Sequence, residues 1–267
     1  MVLPSVAVCR DRKSISAPDR PNPGISRYPS EMLDNTVDPR IAAALARNDR
    51  YLHEFVEALN LCPYSRRCRE SGGLQRAVLL ERGGPPGAAG FDAAVLAIDA
   101  AIDRFERQPS ESIEVALIIL PALDAVLARG VAGARAFENL VHAVRQRVQR
   151  RHVRGTEPFY CVPFHPDFQE DLANEHRAVR FIRRSPDPTV QLVRTALLLG
   201  ARHADPSGTH YVDTAGLSVA ALMALSAPVS LASRIAQANL RTLHAAGVAP
   251  LRALLAEIRS HGRAPDS

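Results

Sequence analysis

The sequence predicts an α/β fold: a small sheet built from β-α-β-α-β units, flanked by helices, with an additional C-terminal helical segment. Three observations point to it. Three short apolar runs, 74–81, 113–120 and 158–164, have strand composition. Longer amphipathic segments separate them. Hydrophobic residues make up 46% of 267 residues and charged residues 23%, which is enough for one sizeable core.

Taken in order, residues 1–40 are rich in Pro, Ser, Asp and Arg without apolar periodicity, and predict a disordered leader. Residues 41–262 read as a single α/β domain, and 263–267 as a frayed tail. "PRIAAALARNDRYLHEFVEALNL" places Ile41, Ala44, Leu45, Leu52, Phe55, Val56 and Leu59 at helical spacing, with Asn60 and then Pro63 ending the helix. "LQRAVLLE" predicts a strand, Gly83–Gly87 a loop, and Phe91–Arg107 an amphipathic helix ended before Pro109. "IEVALIIL" is nearly continuous and β-branched, as a central strand buried on both faces requires, and Pro121 stops it. Asp124–Arg151 predicts a helix with a kink at Gly130–Gly133, and "PFYCVPF" the third strand. Behind two prolines, "RSPDPTVQLVRTALLLG" predicts another helix. Asp205–Gly208 reads as a turn, and Leu217–Leu225 and Leu231–Ile258 as helices, the last broken at Gly247–Pro250.

Composition narrows the function classes. The longest apolar stretch, Ala215–Ala232, is interrupted by Ser218, Ser226, Pro228 and Ser230, so it predicts a buried helix rather than a membrane span. The N-terminus lacks the basic start and apolar length of a secretory signal, so the expected location is cytoplasmic. The net charge is +5 and the pI about 9.4. Lys13 is the only lysine, so 32 of the 33 basic residues are arginine, a pattern of GC-rich coding. The basic run Arg145–Arg154 ends a predicted helix, where cations suit the dipole. No recognition motif accompanies it, which leaves nucleic-acid binding the weakest of the readings. Cys9, Cys62, Cys68 and Cys161 form no Cys-x-x-Cys pair and are expected to be reduced thiols.

Three stretches could carry chemistry. In "NLCPYSRRCRESGG", Cys62 follows a helix end, and Arg66, Arg67 and Arg69 are near enough in sequence to favour a thiolate. A Cys-Pro pair can also ligate haem iron; the competing reading is a small buried hydrophobe. In "PFYCVPFHPDFQED", Cys161 reads as core, while His165 stands one residue past a strand's carboxyl end, where ligands of α/β sheets gather. Oriented by Asp167, it would serve as general acid, general base or metal ligand; the competing reading is a His-Pro turn bonded to backbone. In "RFIRRSPDPTVQLVR", Arg183, Arg184 and Ser185 precede the predicted helix start and Arg194 follows two turns later, the makings of a carboxylate or phosphate site. Ser185 is equally an ordinary N-cap. Glycine-rich nucleotide motifs, a Gly-x-Ser-x-Gly elbow and His-Glu-x-x-His are absent from the sequence.

Together, "EALNLCPYSRR", "VPFHPDFQ" and "RRSPDPTVQLVR" resemble the bacterial domain-of-unknown-function 1415 family over about residues 49–247. The family pattern is a helix leading to Leu-Cys-Pro-Phe, two α/β units, Phe-His-Pro, then Asn-Arg-Ser-Pro and a downstream His-Leu-Leu-Arg. The resemblance places Cys62, Pro63, His165, Pro166, Arg184, Ser185, Pro186 and Arg194 on motif positions. Arg183 stands where the pattern has asparagine, Gln191 where it has histidine, and Tyr64 where it has phenylalanine.

The expectation is an enzyme acting on a small anionic metabolite, with redox chemistry on a bound iron or haem favoured over hydrolysis. His165, Asp167 and Cys62 would be its catalytic residues, and His165 and Cys62 the metal ligands. Arg184, Ser185, Arg194 and Arg66 would hold the substrate. The alternatives are a non-catalytic ligand- or protein-binding module using the same arginine-lined cleft, and weak nucleic-acid binding through Arg145–Arg154.

Overall fold

The computed structural model describes residues 6–9, 38–80, 87–123, 127, 130–153, 156–198 and 231–263. The expected turn at Asp205–Gly208, the helix Leu217–Leu225, and the loop at Gly83–Gly87 apart from Gly87 lie outside the described residues. So do most of the leader and of the C-terminal tail.

Helix α1, Pro39–Arg50, starts where the pattern predicts. The Asp38 carboxylate accepts from the Arg40 amide at 2.9 Å, and Pro39 fills a position whose N–H needs no partner. The helix runs on as π-helical turns at Tyr51–Glu57, where the Ala58 N–H reaches back to the His53 carbonyl. Asn60, with φ 50, then ends it, the Leu61 N–H bonding to the Val56 carbonyl and the Asn60 N–H to that of Glu57. That pair of bonds is a Schellman motif, with asparagine in the left-handed position.

Short α2, Ser65–Glu70, leads into the sheet. Its strands are β1 (Val6–Cys9), β2 (Leu74–Leu79), β3 (Val115–Ile119), β4 (Phe159–Phe164) and β5 (Thr189–Arg194). They lie in the order β1-β2-β3-β5-β4, with β2 and β3 parallel and the remaining pairs antiparallel. α3 (Ala88–Glu106) crosses from β2 to β3, α4 (Gly130–Arg151) precedes β4, and α5 (Glu175–Ile182) joins β4 to β5. α6 (Leu231–Ala246) and α7 (Val248–Ser260) form the C-terminal helical segment, broken as expected at Gly247, whose φ is 80. Among the described residues no helix is long and apolar enough to cross a membrane.

The class is α/β as predicted, but four elements correct the sequence reading. Thr189–Arg194 is a strand, not a helix, and it separates β4 from β3. Pro186 and Pro188 push Ser185 and Asp187 into extended conformation, and Thr189, Val190 and Val193 are β-branched. Val190 and Leu192 alternate with Thr189, Gln191 and Val193, a period of two. Val6–Cys9, within the expected disordered leader, pairs with β2. Gly130, expected as a kink, is the first residue of described α4, and α5 was not anticipated.

Strand β4 lies at the sheet edge, which suits the missing N–H of Pro163. The Arg145 guanidinium covers the same edge by donating to the outward Cys161 carbonyl, from Nε at 2.9 Å. One face of the sheet packs Ala116, Ile118, Val190, Leu192 and Cys161 against Ile98, Ile102 and Phe105 of α3 and Phe137, Leu140 and Val144 of α4. Cys161 is core, as expected. On the other face Val78, Leu117 and Ile119 meet Ile41 and Ala44 of α1. A third cluster, including Tyr51, Phe55, Leu61, Phe181, Leu243 and Leu255, joins the end of α1 to α5, α6 and α7.

A buried ion pair ties these parts together. Arg47 of α1 donates to Asp187 from Nε at 2.9 Å and Nη2 at 3.1 Å, and its Nη1 donates to the His261 carbonyl at 3.2 Å. Arg263 adds a bond to the same carboxylate at 2.6 Å. The Ser185 and Thr189 hydroxyls both donate to the Asp187 carbonyl, at 2.6 and 2.9 Å. Asp187 is 1% exposed, so removing Arg47 leaves its buried carboxylate with Arg263 as its one remaining guanidinium among the described residues. Arg47→Met is expected to cost about 3–5 kcal/mol in denaturant unfolding, while Arg47→Met/Asp187→Leu recovers much of that loss. A loss under about 1 kcal/mol for the single variant would show that the pair does not hold the fold.

Candidate functional site

The Schellman turn throws Cys62 out of the helix, where it is exposed together with Pro63 and Tyr64. It is therefore not the buried hydrophobe that one reading expected. Asn239 of α6 fixes the loop by donating to the Leu61 carbonyl at 2.9 Å. The arginines expected to act on the thiol face carboxylates instead. Arg69 donates to both oxygens of Glu57, at 3.0 and 2.9 Å, and Arg67 pairs with Glu114 at 2.7 Å. Arg66 stands 3.7 Å from Glu57 with its side chain 64% exposed. The Arg69 hydrogen bonds hold the Glu57 carboxyl below the usual carboxylate range, against the opposing effect of burial.

His165 is 1% exposed, its ring between Phe137 and Phe168 with centroids at 5.5 and 5.9 Å. Nδ1 accepts the Asp167 N–H at 3.1 Å, and the His165 N–H donates to the Arg183 carbonyl at 3.0 Å. The Asp167 carboxylate turns elsewhere, accepting from Arg259 at 2.6 Å and the Gly130 N–H at 3.1 Å. Asp167 thus orients the imidazole through its backbone rather than its carboxylate. Burial pushes its carboxyl up, but Arg259 and the amide outweigh that and keep it below the usual range.

The expected anion site behind the two prolines loses its helix N-terminus, because a strand begins there. Ser185 caps nothing; its hydroxyl is spent on Asp187. Arg184 donates to the Pro166 carbonyl at 3.1 Å and to Glu170 at 3.4 Å. Arg194 pairs across the sheet with Phe159, whereas Thr189 pairs with Phe164. That register sets it ~17 Å along the strand from the His165 end. Its Nε donates to the Ile113 carbonyl at 3.2 Å, its guanidinium lies 4.2 Å from the Phe159 ring centroid, and Nη2 is buried without a partner. His165, Asp167, Arg184 and Ser185 therefore share one end of the sheet, and Arg194 the other. Cys62 belongs to the exposed loop after α1, whereas His165 is buried between Phe137 and Phe168. Among the described residues no three His, Cys, Asp or Glu side chains group as a metal site.

Two arginines of the basic run are paired within the fold. Arg147 and Arg151 pair with Asp99, and Arg151 and His152 with Glu106.

A cluster that sequence reasoning missed lies on β4. Tyr160, Val162 and Phe164 share one face of the strand by alternation, with half-buried Gln191 opposite Val162. Arg145 lies over the Tyr160 ring at 5.2 Å and Arg183 over Phe164 at 5.9 Å. Arg183 makes no ion pair among the described residues, since nearby Glu138 is held by Arg180 at 3.1 Å. Burial, chiefly, and the like charge of Arg145 draw its pKa down, with Tyr160, Tyr51 and Glu138 opposing. Tyr51, in the π-helical turns, donates to the Ile182 carbonyl at 2.6 Å and so fixes the residue before Arg183. Burial pushes its phenol far above the ordinary value, and both Arg183 and Cys62 lie within electrostatic reach of it. A half-buried guanidinium without a carboxylate can receive an anion. The available signal was the alternation of "PFYCVPF", which groups the two rings that the arginines cover.

Two outcomes follow from these placements. In the native protein, alkylation at pH 8 read by peptide mass spectrometry modifies Cys62 ahead of Cys68 and Cys161, because burial pushes the latter two thiols up to about 11. Labelling of either buried thiol first would overturn the placement. Asp167 has its folded pKa depressed, so its contribution is present at neutral pH and is lost as pH falls through the acid range below about 4. Asp167→Asn lowers stability at pH 7 and flattens the acid limb of a melting-temperature profile. An unchanged limb would show that the carboxylate does not contribute.

A family model described as "Protein of unknown function (DUF1415)" matches residues 43–214. No curated protein and no solved structure matches the chain.

Proposed function

The chain belongs to the DUF1415 family, and on that premise we propose that it binds a small carboxylate- or phosphate-bearing metabolite at the β4 face, with Arg183 as the anion receptor. One observation carries this reading: Arg183 is a half-buried cation with no ion pair among the described residues, and a second cation, Arg145, lies near enough to repel it. Leaving two guanidiniums in that arrangement costs free energy, and a bound anion removes the cost. The Phe164 ring lies 5.9 Å from the Arg183 guanidinium and offers it a cation–π contact.

A second, enzymatic reading rests on Cys62. Its exposed thiol lies within electrostatic reach of Tyr51, whose hydroxyl anchors the residue before Arg183. A thiol beside a bound anion would supply a nucleophile or a redox-active sulfur to that ligand. Iron or haem held by Cys62 and His165 gains no support, because the imidazole is enclosed by Phe137 and Phe168 on the α4 side.

Inorganic phosphate and short carboxylates are expected to raise the melting temperature of the wild type, with smaller shifts at high ionic strength. Arg183→Gln weakens that binding ~10-fold or more, the loss of a charge-assisted hydrogen bond. Without ligand the same variant is as stable as wild type or more so, since it removes an uncompensated charge. If no anion binds in an Arg183-dependent way, the reading fails. Protection of Cys62 from alkylation by the bound anion would place the thiol at the site, and unchanged labelling would remove the enzymatic reading.

A further inference from the structure

Resting on the anion reading above, we infer that the ligand carries two separate acidic groups, one met by Arg183 over Phe164 and the other by Arg145 over Tyr160. Both rings belong to one face of one strand, four residues apart, ~13 Å along the backbone. Each guanidinium lies over a different ring, so the two cations occupy separate positions on one face although near enough to feel each other's charge. Arg145 commits Nε and Nη2 to the Cys161 carbonyl, which leaves its Nη1 donor for a ligand. Arg183 has its whole fork available among the described residues. Neither arginine forms an ion pair there, although most arginines of the neighbouring helices do: Arg147 and Arg151 with Asp99, Arg180 with Glu138. Tyr160 is 52% exposed, so its station is open to solvent. Between the stations Val162 supplies an apolar side chain on the same face and Gln191 an amide opposite it.

A single phosphate or carboxylate satisfies one station and leaves the other cation unpaired. A molecule with two acidic groups joined by a spacer long enough to reach both guanidiniums neutralises both. Dicarboxylates and diphosphates share that chemistry, and titration distinguishes them.

The experiment is calorimetric titration of the full chain with two-headed probes, succinate, glutarate, adipate, suberate and pyrophosphate, against acetate, butyrate and phosphate. At least one two-headed probe is expected to bind 10-fold or more tightly than its single-headed counterpart. A preference for pyrophosphate assigns a diphosphate ligand, and a length optimum among the diacids a dicarboxylate. Arg145→Gln reduces the two-headed probe to single-headed affinity, whereas Arg183→Gln loses both. Tyr160→Leu, which removes the ring under Arg145 and keeps its bond to Cys161, lowers the preference without disturbing that edge. Equal affinities in the wild type, or a preference that survives both Arg145→Gln and Tyr160→Leu, overturn the two-headed ligand while Arg183-dependent anion binding stands. Absence of any Arg183-dependent binding overturns both.

Discussion

Asp187 joins parts of the architecture that are remote in the chain. It sits in the turn that admits β5 to the sheet, and its carboxylate accepts from Arg47 of α1 and from Arg263 beyond α7. Those two arginines come from opposite ends of the described domain. The sheet, the first helix and the C-terminal segment are thereby held to one turn by a buried charge that has nowhere else to go. The hydroxyls of Ser185 and Thr189 satisfy the Asp187 carbonyl, so the turn is closed on itself as well as clamped from outside. The motif "RSPDPT" is consequently read best as a structural fastening.

That fastening places the candidate site. With β5 inserted beside β3, β4 is displaced to the edge, where Pro163 and Arg145 limit further strand pairing. An edge strand leaves one flank open to cations from the neighbouring helix and loop. Arg145 comes from α4 and Arg183 from the end of α5, and each takes an aromatic ring of β4. Tyr51, from the π-helical end of α1, pins the α5 terminus by one hydrogen bond. Three elements remote in sequence thus converge on one strand face.

Parts of the site were legible and parts were not. "FHPDF" was rightly located at the end of a strand, and its competing reading, a His-Pro turn bonded to backbone, describes the Nδ1 bond from the Asp167 amide. Cys62 was rightly placed at a helix end, but its exposure was not, because burial depends on what the following loop packs against. The arginine stretch misled, because a pair of prolines before β-branched residues suits a helix start and an extended strand alike. The two positions that depart from the family pattern, Arg183 and Gln191, fall on the β4–β5 face near one another in register, through Phe164 and Val162. Sequence spacing of eight residues gives no hint of that, since a turn and a strand intervene.

By itself the sequence determined the α/β class, the helical pattern and asparagine-terminated end of the first helix, the strands β2, β3 and β4, and the core role of Cys161. These follow from local periodicity, capping and proline constraints, which act over a few residues. Only the tertiary structure decided the strand order, the burial of His165 between Phe137 and Phe168, the separation of Arg194 from the His165 end, and which arginines lack a carboxylate. Those outcomes depend on pairings between residues tens to more than a hundred positions apart. A charge is paired or unpaired according to what folds beside it, not according to its neighbours in the chain.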